Sequence, residues 1–265
     1  EKILMKVQKP GRYTGGEWNS VVKDKHAVDV RVAFCFPDTY EVGMSHLGMK
    51  ILYSLFNEKD YIWCERVFAP WVDMEEQMRR NGMELFGLES GDSIHDFDIL
   101  GFTLQYELSY SNVLNMLDLA HIPLRSADRK GLSPLVVAGG PCTCNPEPLA
   151  EFFDIFYIGE GETVYDELLD TYKEWKQSGA SRKDFLRQAA RIEGLYVPQF
   201  YDVTYHSDGT IESFIPNDPA APERVRKQVA MDVTDASYPM KPVVPYIKAT
   251  QDRVVLEIQR GCIRG

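Results

Sequence analysis

Between Pro134 and Glu162 the chain reads PLVVAGGPCTCNPEPLAEFFDIFYIGEGE. Two apolar runs, Leu135–Ala138 and Ile155–Ile158, each empty into a glycine-rich turn: Gly139-Gly140-Pro141 and Gly159-Glu160-Gly161-Glu162. A continuous apolar run predicts a strand buried on both faces, as in a parallel sheet covered by helices. Glycine just beyond such a strand lets backbone approach a ligand closely, because no Cβ intervenes. In open α/β sheets ligands sit outside the carboxyl ends of the strands. Two such turns therefore fit the rim of a cofactor site. They fit equally well as tight strand-to-helix turns and nothing more.

The same alternation extends through the chain. Val28–Pro37 reads as the first strand, ending in the polar turn Pro37-Asp38-Thr39-Tyr40. Ser45–Glu58 predicts a helix, with Ser45 as N-cap and Leu47, Ile51, Leu52 and Leu55 as its apolar stripe. Trp63–Ala69 is a second strand, followed by a helix from Asp73 to Arg80 that Asn81-Gly82 closes. Leu85–Ser90 reads as a short edge strand, Asp98–Gln105 as a buried strand and Ser109–His121 as a helix. Thr163–Gln177 predicts a long helix. Glu162 is expected at its N-terminus, where the helix dipole favours negative charge. Strand and helix alternating five times imply βαβ units and a parallel sheet. Residues 28–178 are thus expected to form an α/β, doubly wound, parallel five-stranded, flavodoxin-like (Rossmann-like) domain.

The flanks read differently. Residues 1–27 are polar and rich in turn formers, made locally basic by Lys6, Lys9 and Arg12, and read as a solvated arm lying on the domain, with contact to an anionic substrate as the lesser alternative. Residues 179–250 form a small α+β appendage. It comprises a helix at Arg182–Ile192, a hairpin around Asp208-Gly209 and a proline-rich linker, with Val225–Val233 as a further candidate strand. Residues 251–265 start a fresh buried-type strand, Arg253–Ile258, with nothing after it to pair or cover it, as expected of a chain cut there.

Composition narrows the function. A formal net charge of −11 over 265 residues disfavours a nucleic-acid surface, which needs clustered Lys and Arg. No apolar run approaches the roughly 18 residues of a membrane span. Five cysteines spread over this length do not read as a disulfide framework, so a cytoplasmic, reduced protein is expected. Cys142-Thr143-Cys144 has no neighbouring His or second cysteine pair to complete a zinc site. His46 reads as a surface histidine in the first turn of its helix rather than as a ligand. Tyr61, Trp63 and Trp71 read as core. Pro37–Met44 lacks the Ser/Thr-rich phosphate loop that a free-standing FMN-binding flavodoxin carries after its first strand.

Two motifs carry a resemblance. Arg260-Gly261-Cys262-Ile263-Arg264-Gly265 resembles the opening of the radical S-adenosylmethionine (SAM) motif Cys-x3-Cys-x2-Cys. Gly139-Gly140-Pro141 with Pro146-Glu147, Phe153-Asp154 and Gly159-Glu160-Gly161-Glu162 is similar to the cobalamin-binding domain that precedes the barrel in many radical SAM enzymes. The resemblance implies a cobalamin-binding-type domain whose main partner is its own C-terminal radical SAM barrel, acting on a substrate that cannot be named from this stretch. It implies Cys262 as the first ligand of a [4Fe–4S] cluster that binds SAM in the full-length protein. The cofactor-binding positions it implies are Asp38, Tyr40 and Gly43, Ser109 and Ser111, Gly139, Gly140 and Pro141, and Gly159, Glu160 and Gly161. Asp38-Thr39-Tyr40-Glu41-Val42-Gly43 matches the frame Asp-x-His-x-x-Gly with Tyr in the cobalt-ligating position. A phenol is a poor ligand beside a neutral imidazole, so any cobalamin here is expected without a protein imidazole on cobalt. Members with cobalamin often methylate unactivated carbons. The other expectation is a lid or docking domain that keeps the fold and has lost the ligand.

Overall fold

Every residue of β1 (Val30–Phe36) and β2 (Ile62–Phe68) is buried, as strands covered on both faces require. They pair in parallel, Val30 opposite Ile62 and Phe36 opposite Phe68. β3 (Ile99–Thr103), β4 (Leu135–Gly139) and β5 (Ile155–Tyr157) extend the parallel ladder on the other side of β1. The computed structural model describes residues 2–131, 134–163, 165–231 and 238–258.

The sheet has six strands rather than the expected five. Its order is β2-β1-β3-β4-β5-β6, and the two-residue β6 (Leu195–Tyr196) runs antiparallel to β5. Two residues carry too little pattern to register as a strand in the sequence. The order of the parallel strands reverses direction between β1 and β3, the place where doubly wound sheets open a crevice at their carboxyl ends.

Helices flank the sheet on both faces. α1 (Tyr40–Gly43) is a single turn after β1. α2 (Leu47–Glu58) is capped by His46, not Ser45: the His46 Nδ1 accepts the Met49 N–H at 3.1 Å. α3 (Val72–Asn81) ends on Gly82 in the left-handed conformation. α4 (Tyr110–Leu119) lies against α3, tied by Arg79 to Asp118 and Asn115. α5 (Tyr165–Ser178) follows β5, and α6 (Arg182–Ala189) packs on it behind a Ser181–Asp184 capping box. Val164, expected on α5, lies outside the described residues. Right-handed crossovers from a sheet whose order reverses place α2 and α5 on one face and α3 and α4 on the other.

Other expectations meet different outcomes. No α-helix joins β4 to β5; two 3-10 turns, Pro141–Cys144 and Glu147–Leu149, make that crossover. Leu85–Ser90 is not a sheet strand: Phe86 forms one bridge to Ser93, and Leu88 N–H donates to the Arg66 carbonyl. The expected hairpin around Asp208-Gly209 forms, as β7 (Tyr201–Tyr205) and β8 (Ile211–Pro216). Arg253–Ile258 pairs with no strand among the described residues, and Val254 and Ile258 are 90% and 93% exposed.

Residues 2–27 lie on the domain and are tied to it by ion pairs. Glu17 is buried and bonds Arg66, whose side chain also holds Glu89 at 2.7 Å. Tyr40 donates its hydroxyl to Glu17 at 2.8 Å. Lys9 and Arg12 both reach Glu41 at 2.9 Å. Segment 238–251 then crosses over this arm. Val244 bridges Trp18, and the Gln251 N–H donates to Ser45 Oγ. Of the aromatic residues read as core, Trp63 is buried, Tyr61 is half-buried, and Trp71 is exposed beneath the Arg12 guanidinium.

Candidate functional site

A cavity of about 600 Å³ lies between the face of β1, β3 and β4 and the helices α2 and α5, reaching out to the strand tips. Val32 and Phe34 from β1, Ile99 and Gly101 from β3, and Val137 from β4 make its floor; Ile51, Leu52, Leu168 and Leu169 make its roof. These positions follow from alternation: in a strand, residues two apart share a face. An apolar hollow with a few polar groups at its mouth is the common form of a small-molecule site.

Both glycine-rich turns reach this hollow. Gly139, Gly140, Pro141, Gly159, Glu160 and Gly161 all line it. Their glycines do different work. Gly140 has φ +96, and a Cβ there would stand 2.7 Å from the Leu104 carbonyl oxygen. Gly159 has φ +126 and lies against the backbone of Gln228. At these two positions the missing Cβ makes room for the chain's own backbone. Gly139 has nothing within 4 Å of a notional Cβ, and Gly101 meets atoms only at 3.9 Å and beyond. The open glycine surface therefore belongs to Gly139 and Gly101.

Thr143 braces the turns together. Its hydroxyl bonds the Gly140 carbonyl at 2.7 Å and the Tyr157 carbonyl at 3.1 Å. Tyr157 donates to the Glu160 carbonyl, and residues 228–230 strap the second turn from outside. Gln228 N–H donates to Ile158, Glu160 N–H donates to Gln228, and Ala230 N–H donates to Glu160 Oε2 at 2.7 Å. A parallel bridge joins Gly159 to Gln228, so of the expected strand Val225–Val233 only this one rung forms among the described residues.

Among the residues that line the cavity, His46, Gln105 and Thr103 form a neutral hydrogen-bonded row. Gln105 Nε2 donates to Thr103 Oγ1 at 2.6 Å and Gln105 also bonds the His46 ring. Burial holds the His46 imidazole below its ordinary value, and the Met49 N–H requires an unprotonated Nδ1. Glu160, Glu162 and Glu257 also line it; Glu160 Oε2 accepts the Ala230 N–H and Glu257 Oε2 accepts the Tyr238 hydroxyl. Glu162 lies in the turn ahead of α5 rather than on it.

Of the other positions that the resemblance implies, Asp38, Tyr40, Gly43, Ser109 and Ser111 do not line the cavity. Asp38 accepts the Tyr106 hydroxyl. Tyr40 is turned into the arm toward Glu17, and Gly43 is packed so closely on Phe68 that a Cβ would overlap the ring. Ser109 is buried and bonds its own turn at the Tyr106 carbonyl, while Ser111 is exposed. Gly43 thus stands apart from Gly140 and Gly161. Cys262 lies outside the described residues. Among the described residues no group of three or more His, Cys, Asp or Glu side chains could hold a metal ion. Buried Cys35 and Cys64 have thiols pushed up by burial, which makes them poor ligands and nucleophiles.

Sequence reasoning passed over His46, Thr103, Gln105, Gly101 and Glu257 as site residues. Thr103 and Gly101 carried a signal, since they sit on one face at the tip of a buried strand. His46 and Glu257 are brought in by tertiary contacts that have no local pattern.

Comparison with known proteins places the chain. A relative in Methanocaldococcus jannaschii, uncharacterized protein MJ0966, is 29% identical over 132 residues, which are 49% of this chain and 24% of that protein. The chain thus matches about a quarter of that relative's length. No solved structure gives a significant match. The family model for radical SAM proteins, N-terminal, matches residues 48–198, a span that includes α2, β2 to β6 and both glycine-rich turns. By that match over more than half its length, the chain belongs to the radical SAM proteins, of which it carries the N-terminal region.

Proposed function

We propose that this region serves a radical SAM iron–sulfur enzyme by holding a small group, a substrate or a substrate portion, in the cavity at the strand tips and presenting it to a SAM-binding barrel that follows. The observation that carries this reading is the apolar hollow of about 600 Å³ under both glycine-rich turns, within the matched family region. Segment 252–258 supports it, because Val255 and Glu257 line the same cavity on the way to Cys262.

The family implies a [4Fe–4S] cluster and SAM in the full protein. By its resemblance to the opening of the Cys-x3-Cys-x2-Cys motif, Cys262 is the residue of this chain that would ligate the cluster. When bound, that pair supplies radical chemistry. The residues described here do other work: the walls exclude water, the His46–Gln105–Thr103 row offers hydrogen bonds, and Gly139 and Gly101 admit a ligand face.

Cobalamin is the other occupant that the resemblance implies, and these residues do not fit it. Tyr40, in the cobalt-ligating position of the frame, is spent on Glu17 inside the arm. Neither Ser109, which bonds the Tyr106 carbonyl, nor Ser111 lines the hollow, so they offer it no pair of serines for a nucleotide tail. Methyl transfer through cobalt is therefore no part of the proposal. The lid reading has one observation in its favour, the strap at 228–230 across the second turn. The open volume behind that strap favours ligand holding.

The test fills the floor. Gly101→Leu would project into the cavity from a position with no tight neighbour. The chain and this variant are screened against uncharged aromatic fragments by thermal shift, with hydroxocobalamin included and read after desalting by its visible spectrum. Fragments that raise the Tm of the chain and not of the variant are expected, with no corrinoid retained. Corrinoid kept at one-to-one would overturn the rejection of cobalamin, and fragments that never distinguish the two proteins would overturn ligand holding.

A further inference from the structure

We infer that a second cavity, on the opposite side of α2 from the first, binds an organic anion: a small apolar body that carries one carboxylate or phosphate group. Its occupant is separate from whatever the first cavity holds.

This second cavity, of about 500 Å³, lies between α2, the arm at Asn19 and Val21, and segment 238–243. α2 serves both cavities with different faces. Leu47, Ile51 and Leu52 line the first, whereas Lys50, Tyr53, Ser54, Asn57 and Glu58 line the second. The second set follows the spacing i, i+3, i+4, i+7, i+8, which is one stripe of a helix. Val21, Tyr53, Pro239, Met240 and Val243 give the cavity its apolar body.

The unmatched cation is Lys50. It is half-buried, and burial pulls its ammonium pKa down with no acid to offset it. No hydrogen bond or ion pair joins it to another of the described residues. Other cations that the fold draws inward are matched. Arg66 meets Glu17 and Glu89, Arg129 meets Asp154, and Lys23 donates to the carbonyls of Asn57, Lys59 and Ile62. A charge drawn from water without a partner costs free energy. An anion in the cavity would supply that partner.

Two further groups join Lys50. Lys241 lines the same cavity from segment 238–243, and like charges gathered from separate elements favour an anion in the space they share. Ser54, one turn on from Lys50, lines it with a hydroxyl that no other described residue engages. Ammonium and hydroxyl donors both suit the oxygens of a carboxylate or a phosphate. The amides of the lining are committed: Asn57 to the Tyr53 and Cys64 backbone, and Asn19 to the Pro242 carbonyl. Glu58 also lines the cavity, but it stands two turns beyond Lys50, about 12 Å along the helix axis. The acid and the unmatched cation thus mark opposite ends, and the anionic group belongs at the Lys50 end.

Three naphthalenes that differ in one substituent test the site: 2-naphthoate, 2-naphthyl phosphate and the neutral 2-naphthylmethanol. Binding of each to the full 265-residue chain is measured calorimetrically at low ionic strength, beside Lys50→Met and Gly101→Leu. One anion or both are expected to bind about tenfold or more tighter than the alcohol, and the tighter of the two identifies the group. High salt is expected to narrow the gap. Lys50→Met keeps the stem and drops the charge, so it is expected to lose about tenfold in anion affinity and to leave the alcohol unchanged. Gly101→Leu, which fills the first cavity, is expected to bind the anions as the unaltered chain does. The urea midpoint of Lys50→Met without ligand is expected to stay level or rise, because an unmatched charge is removed. A lowered midpoint would show that Lys50 is matched within the fold and would overturn the site. So would anions that bind no tighter than the alcohol, or anion binding that survives Lys50→Met and is lost in Gly101→Leu. None of these results bears on ligand holding by the first cavity.

Discussion

At the β2 edge of the sheet, Arg66 is 1% exposed and sits between the carboxylates of Glu17 and Glu89; at the tips of β4 and β5, Glu160, Glu162 and Glu257 are among the residues that line a cavity of about 600 Å³. Both regions gather acidic side chains against apolar surroundings. At the edge, each charge meets its opposite within hydrogen-bond distance, and the result is attachment: the arm is fastened to the sheet. At the tips, the arrangement is open on one side and leaves volume. Saturated polar contacts mark a joint and unfilled space marks a site. The presence of charge or glycine alone distinguishes neither.

The comparison can be broken most forcefully at the joint. Arg66→Ala leaves two carboxylates in the interior without their cation and is expected to cost about 3–5 kcal/mol, read by urea denaturation. A loss under about 1 kcal/mol would mean that the edge is no joint. The turns come next. Gly140→Ala forces a side chain into a left-handed backbone and against Leu104, for about 2 kcal/mol. Gly139→Ala, one residue away in open space, is expected to leave stability within about 0.5 kcal/mol and instead to weaken cavity binding of an uncharged fragment.

A pH titration sharpens the contrast further. Burial alone would push Glu41 up, but the hydrogen bonds from Arg12 and Lys9 outweigh it and hold the carboxyl at about 2. Its folded value lies below its unfolded one, so its contribution is present above the ordinary carboxylate range and is lost as pH falls toward about 2. Burial opposes Glu17 likewise, and Arg66 keeps it lowered. Acid unfolding followed by tryptophan fluorescence should therefore flatten between about pH 4.5 and 2 in Glu41→Gln. An identical slope in that variant would show the arm's charges to be idle. The smallest effect is expected at the surface, where Arg79 meets Asp118 with both half exposed: Asp118→Asn should change stability by less than about 0.5 kcal/mol.

The parallel sheet was legible because its strands are continuous apolar runs, and such runs leave few other folds. The ends of elements were less legible. His46 caps α2 with a ring nitrogen, a role that sequence rules assign first to Ser45 beside it. The glycine turns announced the correct neighbourhood of the cavity. Their sequence could not reveal that Gly140 and Gly159 make room for Leu104 and Gln228, because those partners lie 36 and 69 positions away along the chain. The same distance hid the joint: Glu17 and Arg66 are separated by 49 residues, and a polar segment with three glycines looks solvated until its one buried carboxylate finds a guanidinium.

That carboxylate bears on how the protein is cut for the bench. Composition alone would invite a recombinant version starting near Val28, with the polar leader trimmed as dispensable. Such a product would lack Glu17, Arg12 and Lys9 together, stripping a counter-ion from the interior and baring the surface that segment 238–251 also leans on. Insoluble or aggregating material from that version would report a misplaced boundary rather than an unstable protein.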